Sequence, residues 1–390
     1  MSNFGIRIFF RYLFMRLLVP FTICVCGCAV IWIMVDMYGH LDDFLENKAS
    51  LRIILYYYSL QIPNMLVMVL PAAMLFSTLW TLINLNRRCE LVAFQSGGMA
   101  PVWLFTPFFV FAVMWMLILG YDLSGPAPQA AMASTRVMLQ VKGEDAKRNI
   151  FTEFLYVDPV NRRSWFFQKL DTRQGKGWGV EINESDADGH DTVEYLARTA
   201  EWKGDYWSLG GVVERFYGDE ESIQETKTYA ELDTDINAPS PELLFLSAAP
   251  TEQLTLPQLS EYIAASGAPA HQLAAYRAEW WYRVIYPSSL VVLILYALLQ
   301  GTHSDRRGAM GGVFMAIIVL LAFISTFYLF KIIGSNNRMP PFLGVAISPF
   351  IFGAVGLYLL GRNNGWGWQL LEEWKRWQQW WHENGEDWIK

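Results

Sequence analysis

The chain has 390 residues, of which 53% are hydrophobic and 17% are charged, and its mean hydropathy is +0.21. A soluble globular domain has about 25% charged residues, so this composition excludes an ordinary water-soluble protein. The formal net charge of −7 identifies no partner by itself, because the acidic residues concentrate in one predicted domain and in the C-terminal tail; we expect no nucleic-acid partner.

The deficit of charge is concentrated in six stretches that contain no Asp, Glu, Lys or Arg. They are residues 17–35, 53–85, 91–121, 284–302, 308–330 and 339–361. A helix needs about 20 apolar residues to cross a bilayer, so each stretch can hold one span. We expect the first to be a retained span and not a cleaved signal peptide, because Asp36 stands where a small-residue cleavage site would lie.

A short charged neck, "RRCELVAFQSGG", separates the second stretch from the bulk of the third and contains Arg87, Arg88 and Glu90. "CELVAF" is the right length for one or two turns of helix before the Gly97-Gly98 break, which predicts a short helix near 88–97. Two interpretations stay open for Glu90. It is either part of a polar neck that merely ends the second span, or a carboxylate on a short helix that a cytoplasmic protein can push.

The segment 122–270 carries charge at ordinary density and is predicted to be a water-soluble insertion. Short segments rich in aromatic and β-branched residues, such as "TEFLYVDP" and "RRSWFFQKLD", alternate with turn signals, which predicts an all-β sandwich or jelly roll. A short helix is expected to follow, with Thr255 as its cap and Gly267 as its stop. The fold class is therefore six transmembrane helices with an inserted, jelly-roll-like all-β domain, which divides the chain into 1–121, 122–270, 271–362 and a tail.

Lys and Arg in short loops predict the orientation of the spans. The basic residues that flank the spans on one side are Arg7, Arg11, Arg16, Arg87, Arg88, Arg306, Arg307 and Arg362. This places both termini in the cytoplasm and the β domain outside. The tail, 363–390, is rich in Trp and has an apolar helical stripe, which favours an interfacial helix on the inner leaflet; docking to a partner protein is the alternative.

No catalytic constellation is visible in the sequence. The five histidines are scattered, there is no HExxH motif, and no GxxxxGK[ST] phosphate loop occurs. We therefore expect neither an enzyme nor a cofactor or metal site.

Charged residues instead mark the predicted outer ends of the spans. The candidates are Asp36, Lys48, Arg52, Arg136, Arg283 and Lys331. They are either solvated helix ends, or the basic members face an inner cavity and hold the phosphates of a lipid head group, since Arg and Lys pair strongly with phosphate.

Six stretches together carry a family resemblance. "RCELVAFQSGG" looks like a coupling helix, "ARTAEWKGDYWSLGGVVERFY" like periplasmic strands, and "SPELLFL" and "LTLPQLSEYI" like the segments that follow those strands. "EWWYRVIYP" is similar to the start of span four and "MPPFLGVAISPF" to a proline-containing span six. No motif is highly specific alone, but in this order, with a β domain between spans three and four, they resemble the LptF/LptG family of lipopolysaccharide export permeases.

The resemblance implies a transport subunit of the bacterial inner membrane that carries lipopolysaccharide. Its implied partners are a cytoplasmic ABC ATPase dimer, a second LptF/LptG-like permease and an LptC-like bitopic periplasmic protein. Glu90 would be the residue that engages the ATPase, and Asp36 and Lys331 would lie near a gate formed along spans one and five.

Three departures from the family pattern bear on the details. Ile347 and Phe350 replace the usual Trp and Asn around Pro349, "SPELL" lacks the usual Asp, and the Trp-rich tail is extra. "CELV" leans slightly toward LptG. The alternatives are a permease for another lipid or lipoprotein, and a membrane-anchored periplasmic sensor.

Overall fold

The computed structural model describes residues 3–97, 101–142, 150–158, 161–186, 190–218, 223–234, 238–302 and 309–363. The predicted Trp-rich tail lies outside the described residues from position 364 onward.

Five helices precede the sheet, and six follow it, among the described residues. The first five are α1 (Asn3–Glu46), α2 (Leu51–Arg87), α3 (Glu90–Ser96), α4 (Pro101–Ser124) and α5 (Pro126–Val141). The others are α6 (Pro241–Ala248), α7 (Leu256–Ala265), α8 (Ala270–Ile285), α9 (Ser289–Thr302), α10 (Ala309–Ser335) and α11 (Pro341–Asn363).

Six helical stretches in the described chain are long and apolar enough to cross a membrane, which confirms the predicted number. They are Phe9–Glu46, Leu51–Arg87, Leu104–Ser124, Ala270–Gly301, Gly311–Ser335 and Pro341–Arg362. The fourth joins α8 to α9 through a short 3-10 turn, Tyr286–Ser288. The first two exceed what a bilayer needs, because 44 residues in α1 extend about 66 Å against roughly 30 Å of hydrocarbon.

The second and fourth spans form the centre of the helical part. Of the most apolar window in each of these spans, 72% is buried, against 6% in the first span. α2 packs against α1, α5 and α9, and α10 packs against α11. The last pair approaches closely at Gly344, where an added Cβ would lie 2.8 Å from the backbone oxygen of Phe330. α1 therefore lies at the edge and leaves most of its apolar surface uncovered.

The insertion contains one six-stranded antiparallel sheet with its strands in sequential order. The strands are β1 (Ile150–Asp158), β2 (Arg163–Asp171), β3 (Lys176–Ser185), β4 (Asp191–Trp202), β5 (Trp207–Tyr217) and β6 (Ile223–Asp233). The predicted inserted β domain is confirmed. Each described strand pairs with its neighbours in sequence because the connections are short. This sequential order is simpler than that of a jelly roll, in which the strands are exchanged between two sheets.

One face of this sheet carries the core of the domain. Trp165, Phe167 and Trp207 are almost completely buried there, and Leu244 of α6 packs on the same cluster. The indole nitrogen of Trp207 donates a hydrogen bond to the backbone oxygen of Pro239, at 2.8 Å. The chain that leaves β6 is thus held against the sheet before it returns to the membrane.

Helices connect the sheet to the spans on both sides. α5 extends the third span and packs on α2, so residues 126–141 are helical although they lie within the predicted insertion; the Ala-rich segment "PAPQAAMASTRV" suits a helix that starts with proline. On the return path, α7 occupies the predicted position. The Thr255 amide at its start donates to Oε1 of Gln258, at 2.9 Å.

Candidate functional site

Glu90, the predicted coupling residue, is the first residue of the seven-residue helix α3. Cys89 before it has a positive φ of 55°, and this left-handed residue turns the chain sharply from α2 into α3. The ring of Phe94 in α3 meets that of Phe9 in α1, with centroids 4.8 Å apart. α3 is therefore fastened both to α2, through the chain, and to α1, through packing.

The carboxylate of Glu90 is also bound to the first span. The Tyr12 hydroxyl donates to its Oε2 atom at 2.6 Å, and Nη2 of Arg16 lies 3.9 Å from its Oε1 atom. The Arg16 guanidinium stands over the Tyr12 ring, 5.1 Å from the centroid. We call Tyr12, Arg16 and Glu90 the inner cluster. Its charged side chains stay partly open to solvent, 23% for Glu90 and 38% for Arg16.

Arg87 and Arg88, the other two predicted coupling residues, are both exposed. Arg88 lines a cavity of about 630 Å³ that also includes Arg16 and Glu90. Arg87 is not among the residues that line it. The structure thus places Arg88, but not Arg87, on the wall of the cavity that contains Arg16 and Glu90.

A second group of charges lies at the opposite ends of the spans. Nε of Arg283 lies 3.1 Å from Oε1 of Glu279, and Nζ of Lys331 lies 2.8 Å from Oε2 of the same residue. Lys331 also stands over the Tyr282 ring, 3.9 Å from its centroid. We call Glu279, Tyr282, Arg283 and Lys331 the outer cluster. It joins α8 to α10.

Arg283 has further partners in the chain that returns from the β domain. Its guanidinium donates to the backbone oxygens of Thr251 and Glu252, each at 3.1 Å, and to that of Leu254. Taken as whole residues, Arg283 and Glu279 are only 3% and 4% exposed. These bonds are therefore shielded from water. Arg283 therefore clamps the segment between α6 and α7 onto α8.

This outer arrangement bears on the predicted head-group role. Arg283 and Lys331 line a cavity of about 250 Å³ between the helices. Both cations already share the Glu279 carboxylate, so a phosphate that entered would compete with it.

The extent of the sequence match decides the family. Residues 11–362 match the family described as "Lipopolysaccharide export system permease LptF/LptG". The chain belongs to the LptF/LptG family. The match includes every predicted membrane span and the inserted sheet, so this protein is a multi-pass inner-membrane permease, a transport subunit and not an enzyme. The comparison with curated proteins gives no match.

The remaining candidates of this LptF/LptG permease lie apart from the outer cluster. Asp36 lines a separate cavity of about 320 Å³ together with His40, Tyr57 and Lys142, and its Oδ2 atom lies 3.6 Å from Nδ1 of His40. Arg136 is half-buried on α5. Lys48 and Arg52 are exposed near the turn from α1 to α2. The structure brings Arg283 and Lys331 together but leaves the other four candidates outside that group.

Three important residues of the LptF/LptG permease were not predicted as site residues. Tyr12 bonds Glu90 across 78 positions, which no local pattern shows. Glu279 and Tyr282 fall within "EWWYRVIYP", and the spacing of Glu279 and Arg283, i and i+4, is the signal that could have found that pair.

Proposed function

We propose that this chain is one of two six-span permease subunits that extract lipopolysaccharide from the inner membrane and pass it to a periplasmic bridge for delivery to the outer membrane. A cytoplasmic ABC ATPase dimer supplies the energy. The family match over residues 11–362 is the observation that carries this proposal, because it includes both the spans and the β domain. The subunit converts movement at its inner surface into movement of a lipid.

The proposed orientation puts both termini and the inner cluster in the cytoplasm. The excess of Arg at that end of the spans supports it. The β domain, at the other end, then lies in the periplasm, where an LptC-like protein would receive the lipid.

The geometry of α3 supports a coupling role. A force on α3 reaches α1 through the Tyr12–Glu90 hydrogen bond of 2.6 Å and the contact between Phe94 and Phe9. Glu90 remains partly exposed, so an ATPase can still reach it. Arg87 and Arg88, both exposed, would contribute to the same contact.

The uncovered surface of α1 supports assembly with a second permease subunit. Large apolar side chains such as Ile31, Met34 and Val35 are at least 64% exposed. Lipid or another protein must cover such a face within a membrane. A second subunit against α1 would create a lipid path between the two chains, with Asp36 on α1 and Lys331 on α10 near it.

The basic residues at the outer ends are proposed to meet the phosphates of the lipid as it leaves. Lys48 and Arg52 are exposed near the turn from α1 to α2, so they are the candidates most open to an incoming head group, and Arg136 is half-buried on α5. Arg283 and Lys331 would contribute only if Glu279 released them.

Purification of the full chain from its own membranes in a mild detergent tests the assembly. We expect a phosphate-loop ATPase and a second six-span subunit to co-purify in fixed proportion. A chain that elutes alone and stays stable would contradict the proposal and favour a sensor. Reconstituting the assembly with lipopolysaccharide or with a lipoprotein then separates the two cargo classes.

A further inference from the structure

The cavity that contains the inner cluster is lined by both polar and apolar side chains. It lies between α1, α2 and α3 and has a volume of about 630 Å³. Arg11, Arg16, Arg88 and Glu90 line it, which leaves a net charge of +2. Met15, Val19 and Trp80 line it as well.

The polar and apolar side chains occupy different positions along the axes of α1 and α2. Arg11 and Val19 are eight positions apart on α1, about 12 Å along the helix. Trp80 on α2 and Arg88, the residue that follows α2, have the same separation, and α2 runs back toward the same end. Each wall thus has an arginine at one end and an apolar residue at the other, with Met15 beside Arg16 on α1. The change from basic to apolar lies close to the positions where the charge-free stretches begin and end.

Trp80 gives an independent indication of an apolar ligand. Its neighbours Leu79 and Leu82 are 1% and 0% exposed, whereas Trp80 is 59% exposed, and Val19 opposite is 62% exposed. A Trp at this depth is typical of a residue that contacts lipid at the membrane interface. A free phosphate would leave the apolar lining of the cavity unused.

The arginines have donors available for a phosphodiester. Arg16 is 3.9 Å from Glu90 and 38% exposed, so its contact with the carboxylate is loose. A guanidinium group binds phosphate oxygens through two parallel N–H donors, which makes Arg well suited to this ligand.

We propose that this cavity binds an anionic phospholipid, with its phosphodiester on Arg11, Arg16 and Arg88 and an acyl chain along Met15, Val19 and Trp80. The site lies at the opposite end of the spans from the outer cluster, so its ligand is not the cargo leaving the membrane. A phosphodiester on Arg16 competes with Glu90, which makes the position of α3 sensitive to lipid. Placing the site in the inner leaflet rests on the proposed orientation, but the binding itself does not.

Native mass spectrometry of the purified full chain tests the site. Phosphatidylglycerol, phosphatidylcholine with the same acyl chains, and inorganic phosphate are added separately. We expect phosphatidylglycerol to bind at least about tenfold more tightly than phosphatidylcholine, because the charge-assisted contacts require an anionic head group. Equal retention of the two lipids would overturn the proposal. Inorganic phosphate that binds as tightly as the lipid would show a phosphate site instead.

Substitutions then locate the binding. Arg11→Gln with Arg88→Gln should weaken phosphatidylglycerol binding about tenfold or more, and Arg362→Gln should not. Arg362 is the matched control because it is exposed in the last turn of α11 and does not line the cavity. An equal loss in the control, or no loss in the double variant, would overturn the site.

Two further variants keep the test decisive. Arg11→Gln alone changes an exposed side chain, so it should fold even if the double variant does not. Trp80→Ala should weaken binding of both lipids, and unchanged binding would exclude the acyl-chain wall. Because the assay uses neither an ATPase nor lipopolysaccharide, its failure is distinguishable from failure of the proposed transport function.

Discussion

The inner and outer clusters are built from the same parts but differ in burial. Each has one carboxylate and one tyrosine ring, with one basic side chain in the inner cluster and two in the outer cluster. In the outer cluster the side chains of Glu279 and Arg283 are 6% and 2% exposed, whereas Glu90 and Arg16 in the inner cluster are 23% and 38% exposed. The ion-pair distances follow the same trend, 3.1 Å against 3.9 Å.

This difference separates a permanent joint from a replaceable contact. Water cannot solvate a buried charge whose partner is lost, so removing one partner of a buried pair costs about 3–5 kcal/mol. An exposed pair contributes about 0–1 kcal/mol, because water replaces either partner. The outer cluster therefore holds α8, α10 and the returning chain together, while the inner cluster can exchange its contacts with another protein or a lipid.

The largest effect is expected from Glu279→Gln. It leaves the buried Arg283 and the partly exposed Lys331 with no carboxylate, so the free energy of unfolding should fall by about 3–5 kcal/mol. Thermal unfolding in detergent measures the loss. Glu261→Gln, the same change at an exposed position of α7, is the control and should alter the unfolding temperature little. Equal stability of the two variants would contradict the claim that the outer cluster holds α8 and α10 together.

Arg283→Met should have the next largest effect. It keeps the Glu279–Lys331 pair but removes the donors to three backbone oxygens, so we expect a loss of about 2 kcal/mol. Amide exchange should rise specifically in the segment 251–259. Lys331→Met leaves those bonds in place and is the matched variant; faster exchange there in both would show that Arg283 is not the clamp.

Glu90→Ala is expected to change stability by only about 1 kcal/mol or less, because its partners are partly exposed. ATP-driven transport by the reconstituted assembly should nevertheless be impaired while the β domain still folds. Glu90→Gln still accepts a hydrogen bond from Tyr12 but carries no charge. Normal transport by the Glu90→Ala variant would contradict a coupling role for Glu90.

The smallest effect is expected from Tyr12→Phe. It removes one hydrogen bond to Glu90 at 2.6 Å and keeps the ring beneath Arg16, so the loss should be about 0.5 kcal/mol. Amide exchange in α3 should rise while that in α10 stays constant. If Tyr12→Phe lowered the free energy of unfolding as much as Glu279→Gln does, the predicted difference between the two clusters would be wrong.

Local chemistry explains how much of the fold was predictable. The six spans follow from the absence of charge, since a charged side chain is costly within a bilayer. The strands follow from their composition and turn signals, and α7 from the cap at Thr255. The segment 126–141 was placed within the insertion but is a helix packed on α2. It contains one charged residue, Arg136, and is rich in Ala, so its composition suits a helix that continues from the third span.

The sequence by itself determined which parts of this protein enter the membrane, which part forms a sheet, and which family it belongs to. Only the tertiary structure decided which charges are buried. Lys331 meets Glu279 from another helix, and Tyr12 meets Glu90 across 78 positions. The burial of a side chain depends on the helices that pack around it, and that packing sets whether an ion pair is a permanent joint or a contact that a partner can replace.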